Sequence, residues 1–204
     1  MSSADTPAQE EPTVETGEDG PRPLDAATRA RRDAALAHVQ KFGDPVLRAR
    51  AREIDRFDEQ LEAEVEQMGR IMDDALGIGL AANQVGQLSR LLVYRLSDDD
   101  PLVALANPVI EWSSEETDVD EEGCLSLPGV LVEVERPAKI RVRAQDEHGN
   151  FVLLDAADLE ARVIQHEVDH LDGVLILDRT SREQRKQAMR ALREAEAAAA
   201  RRDD

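Results

Sequence analysis

A single cysteine, Cys124, is present in 204 residues, so no intramolecular disulfide can form and no covalent cross-link constrains the fold. There is no run near the roughly 18 consecutive apolar residues that a membrane span requires. The opening MSSADTPAQEEPTVETGEDG lacks the basic-then-apolar order of a secretion signal. Both absences make a cytoplasmic location without membrane contact the expectation. A basic surplus is missing as well: 25 lysines and arginines face 44 acids, a net charge of −19, which argues against DNA or any nonspecific nucleic-acid partner. No internal repeat is found, and a chain of this length with 41% apolar residues suffices for one domain with tails.

Residues 1–24 are rich in Glu, Asp, Pro, Ser, Thr and Gly and are expected to form a disordered acidic tail. Residues 25–204 are then a single domain that opens and closes on a helix. The first helix is expected from Asp25 to Lys41, before the Asp44-Pro45 turn. A second follows Asp58, with Leu61, Val65, Met68, Met72 and Ala75 at helical spacing and Gly77 as its stop. Short β-prone pieces come next: RLLVYRL from Arg90, LVALANPVI from Leu102, VLVEVE from Val130, KIRVRA from Lys139 and FVLL from Phe151. The acidic run EETDVDEE, Glu115 to Glu122, reads as a solvated strand edge or loop. Ala157 to Leu171 reads as a partly buried helix and Ser181 to Ala200 as a final helix of mixed charge. Strands in a run between helices, without βαβ alternation, indicate an α+β fold.

Chemistry concentrates in QHEVDHLDG, Gln165 to Gly173. On a helix His166 and His170 project from one face, so two imidazoles can hold one cation with Glu167 beside them. A third ligand is needed, since catalytic sites usually employ three and leave a position open. The longer protease pattern HExxHxxGxxH finds its glycine in Gly173 but places Ile176 where its last histidine belongs. Glu183 and Glu194 lie in the charged final helix, where solvated surface is the simpler reading, which leaves Cys124 as the best candidate. In EGCLSLPG, Gly123 permits close backbone approach, and Ser126 and Pro128 suggest an irregular segment rather than a continuous strand. His38 and His148 are assigned no chemistry.

Three stretches, GIGLAANQ (Gly77 to Gln84), EGCLS (Glu122 to Ser126) and QHEVDH (Gln165 to His170), resemble, in order and separation, the signature motifs of the peptide deformylases. The resemblance runs from about Phe42 to Arg179. It implies antiparallel β-sheets packed around a central HExxH metal-binding helix with a C-terminal helix. The activity implied is a metal-dependent hydrolase that takes the formyl group from the N-terminal formylmethionine of new polypeptides and releases formate. Carried over residue by residue, Cys124, His166 and His170 bind one divalent metal, ferrous iron in this family, with zinc, nickel or cobalt as possible occupants. Glu167 is the general acid and base, and the Gln84 amide and Leu125 backbone N–H stabilise the oxyanion. Glu122 pairs with Arg136 to hold the cysteine segment. Gly79 and Gly123 would lie along the peptide, Ile78 and Val163 would wall a methionine slot, and Arg162 would meet the peptide backbone or acidic side chains. Arg182, Arg185, Lys186 and Arg190 on the last helix suit a transient contact with the ribosome, or simply a salt-bridged solvent face.

Two rivals remain open at this level. A zinc endopeptidase would take its third ligand from the last helix and keep its metal in Cys124→Ser. A catalytically inactive relative would only bind chain termini, and intact Cys124, Gln84, Glu167 and both histidines argue against it.

Overall fold

The computed structural model describes residues 24–200; the acidic tail expected over residues 1–24 lies outside them except for Leu24. Helix α1 (Ala26–Leu36) starts where the Asp25 carboxylate accepts the N–H groups of Ala27 and Thr28, which satisfies two of its free donors. It stops at Leu36 rather than Lys41 because the following backbone has better partners: Gln40 N–H donates to Gln84 O and Phe42 N–H to Ser126 O. A 3-10 turn, Pro45–Arg48, follows.

Helix α2 (Glu59–Asp74) is capped by Asp58 and buries Leu61, Val65, Met68, Ile71 and Met72 along one stripe. Its stop differs from the expected one. The left-handed residue is Leu76, at φ 61°, while Gly77 N–H closes the cap on Met72 O and Leu76 N–H bonds Asp73 O.

Seven strands follow: β1 (Gly79–Ala81), β2 (Leu91–Tyr94), β3 (Val103–Ser113), β4 (Thr117–Cys124), β5 (Leu127–Pro137), β6 (Lys139–Gln145) and β7 (Phe151–Ala157). They form a five-stranded antiparallel sheet in the order β1-β2-β3-β6-β7 and a separate β4-β5 hairpin. In β6 every second side chain is buried, the period of a strand with one covered face. Against expectation β4 continues as strand to Cys124, which pairs with Leu127 after a register shift at Gly123. The irregularity foreseen around the cysteine is confined to that shift and the turn after it.

Helix α3 (Asp158–Leu171) packs on β1, β2, β6 and β7 of the sheet and on β5 of the hairpin. Ala161, Val163, Ile164, Val168 and Leu171 join Leu92, Tyr94, Leu105, Ile140 and Val142 in one core. Helix α2 fills a second core with Leu80, Leu91 and Val93. A third core joins Val130, Val132 and Val134 of the hairpin to the short helix α4 (Ile176–Arg179) and to α5 (Arg182–Ala200). The α+β class and the terminal helices are as expected; β1 and α4 were not foreseen, being too short to show periodicity. Among the described residues no helix is long and apolar enough to cross a membrane.

Candidate metal centre

His166 and His170 lie on one face of α3, and the end of β4 carries Cys124 to them. The three ligand atoms fall within 4.8 Å of one another, with Cys124 Sγ 3.2 Å from His170 Nε2. Tetrahedral bonds of about 2.3 Å to sulfur and 2.0–2.1 Å to nitrogen put such donors about 3.5 Å apart. The donor set therefore fits one divalent ion, and a thiolate with two imidazoles suits iron, zinc, nickel or cobalt rather than calcium or magnesium. Glu183 bonds Gln187 and Glu194 pairs with Arg190 on α5, so neither expected rival ligand joins the cluster.

The orientation of His166 is set from behind. Glu122 Oε2 lies 2.9 Å from His166 Nδ1, which leaves Nε2 for the centre. Arg136 forks onto Glu122, Nε to Oε1 at 2.6 Å and a terminal nitrogen to Oε2 at 2.9 Å, and its other terminal nitrogen bonds Asp169 at 2.9 Å. Burial alone would raise the Glu122 carboxyl; the hydrogen bonds from Arg136 and His166 outweigh it and hold Glu122 far below the usual range. Burial depresses both imidazoles. Hydrogen bonds to Cys124 and Glu122 bring His166 well above the ordinary histidine value, whereas the positive His166 pushes His170 further down.

Glu167 is buried on the cavity side of α3, and its Oε2 has no protein partner. Removal from water raises its carboxyl to about 7, with His166 acting in the opposite direction, a value suited to giving and taking protons near neutrality. Gly79 on β1 is what admits it: a Cβ there would come 2.5 Å from Glu167 Oε1. Gln84, in the 3-10 turn Ala82–Val85, anchors its carbonyl oxygen on Ala81 N–H at 2.8 Å. Its amide nitrogen points to Ser126 Oγ, 3.3 Å, and Cys124 Sγ, 3.6 Å.

These groups open on a cavity of about 650 Å³. Its lining includes Gly123, Cys124 and Leu125 from the hairpin, Ile78 and Gly79 at β1, and Val163, His166 and Glu167 of α3. Arg136 and His170 stand behind it. Arg162 also borders the cavity, but not as a free cation: its terminal nitrogens bond Glu122 Oε1 at 2.8 Å, Val134 O at 3.0 Å and Asp118 O at 3.0 Å. It braces the hairpin and Glu122. Leu76, Leu131 and Leu159 line the mouth with their side chains about half exposed or more. Leu131 had a sequence signal, an apolar residue at an outward position of an alternating strand. Asp169, inside HEVDH itself, was overlooked as the second anchor of Arg136.

Residues 36–186 match the family model described as Polypeptide deformylase. The chain is 47% identical over 163 residues to the peptide deformylase of Acidothermus cellulolyticus, covering 79% of this chain and 88% of that one. Against peptide deformylase 1 of Corynebacterium glutamicum the identity is 47% over 161 residues, 78% of this chain and 95% of the other. Among solved structures, that of a peptide deformylase from Synechococcus elongatus in complex with actinonin superposes with a TM-score of 0.73 at 42% identity, over 75% of this chain and 85% of that one.

Proposed function

The chain belongs to the polypeptide deformylase family, a family of hydrolases that remove the N-formyl group from nascent polypeptides, and from that premise we propose how its own residues perform the reaction. The observation that carries the proposal is the convergence of Cys124, His166 and His170 within 4.8 Å beside a buried Glu167.

Cys124 Sγ and the Nε2 atoms of both histidines hold the divalent metal, which when bound supplies a water of lowered pKa and a Lewis acid for the formyl oxygen. Glu167 accepts the proton of the attacking water and delivers it to the leaving amine, a double role matched by a carboxyl near 7. The Gln84 amide and the Leu125 backbone N–H donate to the oxygen on which negative charge builds; losing one such donor typically costs about 100- to 1,000-fold in rate. Ile78 and Val163 wall the methionine side chain, and Gly79 and Gly123 let the peptide backbone approach. Glu122 and Arg136 position the ligands without touching substrate.

Ferrous iron is the proposed native ion, held by an oxidation-prone thiolate; metal analysis of protein purified without oxygen tests this against zinc, nickel and cobalt. A reaction on new polypeptide chains supports a cytoplasmic location with transient ribosome contact. Arg185 pairs with Asp178 at 3.5 Å and Arg190 with Glu194 at 2.8 Å, so Arg182 and Lys186 would carry any ribosome contact. Loss of cosedimentation after neutralising both would support it. The decisive test of the reaction is formate release from a formylmethionyl peptide by iron- or nickel-loaded protein. Turnover abolished in Glu167→Ala, with metal content retained, is the expected result. Absence of turnover in a folded, fully metallated sample would overturn the proposal.

A further inference from the structure

We infer that Arg32, on α1, is a specificity-determining residue that recognises an acidic side chain among the residues following the formylated methionine. The inference rests on the deformylase reading and adds to it a preference in the peptide.

The family match begins at residue 36, so α1 lies almost wholly ahead of it, yet Arg32 and Leu36 line the same cavity as Cys124, His166 and Glu167. The helix is fixed there. Asp25 caps its start, Ala35 and, just past its end, Val39 are buried, and α1 packs on α2. Lys41 Nζ, 2.8 Å from Leu36 O and 3.5 Å from Leu125 O, ties the end of α1 to the turn beside the cysteine. Arg32 is thus presented to the cavity by a braced element.

Its charge is free. The other arginine at the cavity, Arg162, is bonded to Glu122, Asp118 and a strand carbonyl. Among the described residues the nearest anion to Arg32 is its neighbour Asp33 at 3.9 Å, with the two side chains 39% and 65% exposed, a pairing too loose and too wet to hold a guanidinium in place. Asp120 and Glu121 of β4 also line the cavity, and both are exposed. The cavity therefore offers a cation from α1 and acids from β4. An extended peptide leaving the metal centre points successive side chains to opposite sides. One position faces Arg32, while elsewhere the net charge of −19 disfavours acids.

The test uses amidated formylmethionyl tetrapeptides with Glu, Lys or Ala placed in turn at each of the three following positions. Rates of formate release by the full-length, nickel-loaded protein give kcat/KM, and calorimetric titration with the deformylated peptides gives affinity without turnover. At one position the wild type is expected to favour Glu over Lys by about 3- to 5-fold at low salt, through KM, the scale of a partly solvated ion pair. Arg32→Ala and Arg32→Gln should bring that ratio to about one, Arg32→Glu should invert it, and 0.5 M salt should shrink it. The Glu to Lys ratio is the reading, so a general change in rate does not enter. Turnover with a ratio unaltered by Arg32 substitution at every position overturns the assignment of Arg32 alone. No turnover of any peptide by wild type overturns the deformylase reading and this inference with it.

Discussion

At the scale of single residues the site depends on one missing side chain. Gly79 leaves the space that Glu167 occupies, and a methyl group there would lie 2.5 Å from Oε1 and 3.0 Å from the carboxyl carbon, distances that force the carboxylate to move. Gly79→Ala is expected to lower kcat by about 100-fold, the cost of displacing a catalytic group by about 1 Å, while metal content and melting temperature stay near wild type. An unchanged kcat would show that Glu167 has another position from which to act. The sequence led to Gly79 for a different reason, approach of a substrate backbone, because a contact between β1 and α3 leaves no trace in local spacing. Legibility was greatest where chemistry restricts residue type. The HEVDH face and Cys124 were named from their side chains, and Gln84 and the Glu122 and Arg136 ion pair from the family motif. Arg162 borders the cavity as expected, but sequence shows a charge and not what already neutralises it.

Elements follow the same division between local and distant causes. The caps of α1 and α2 by Asp25 and Asp58 are local and readable, but the early end of α1 is imposed by Gln84 and Ser126, far along the chain. Gly173, the glycine that matched one position of the longer protease pattern, has a structural explanation. It sits at φ 75° just after α3, where a Cβ would lie 2.6 Å from Arg48 O. That turn leads into α4, whose Asp178 accepts Leu175 N–H at 3.0 Å and pairs with Arg48 and Arg185. Burial alone would raise the Asp178 carboxyl, yet the Arg48 and Leu175 bonds bring it below its ordinary 3.8. A carboxyl lowered by folding stabilises the fold above the unfolded value, and that contribution is lost as pH falls through the folded value. Asp178→Asn is therefore expected to cost about 0.5–1 kcal/mol at pH 7, the scale of a largely solvated ion pair. In urea melts the gap to wild type should close as the pH falls below about 4. A gap constant from pH 7 to 3 would mean the charge is not what Asp178 contributes.

For the whole molecule the strand count and class were largely readable, but the division into a five-stranded sheet and a separate hairpin was not. Pairing partners are set by which apolar faces α3 covers, not by the strands' own sequences. Nor could the placement of α1 over the cavity be read, since helical spacing locates a helix in the chain and not in space. A metal that binds only the folded protein stabilises it by mass action, about 4 kcal/mol when present at 1,000 times its dissociation constant. At 2–4 °C per kcal/mol for a chain of this size, stripping the metal from the holoenzyme should lower Tm by about 8–16 °C. Equal melting of the two forms would mean that the three ligands do not act together in folding.

Cys124 closes the hairpin, whereas His166 and His170 belong to the helix seated on the sheet, so a metal shared among them would fasten the two parts of the molecule. With one cysteine no intramolecular sulfur bridge is possible, and the proposed ion would take its place as a removable clasp. The loop it closes, from Cys124 to His166, contains β5, β6 and β7. Oxidation of that one sulfur would therefore do more than end catalysis. It would remove the tie between hairpin and helix that runs through the metal and leave side-chain packing, the ion pairs of Arg136 and Arg162, and the Gln84 and Gln165 hydrogen bonds to hold the two parts together.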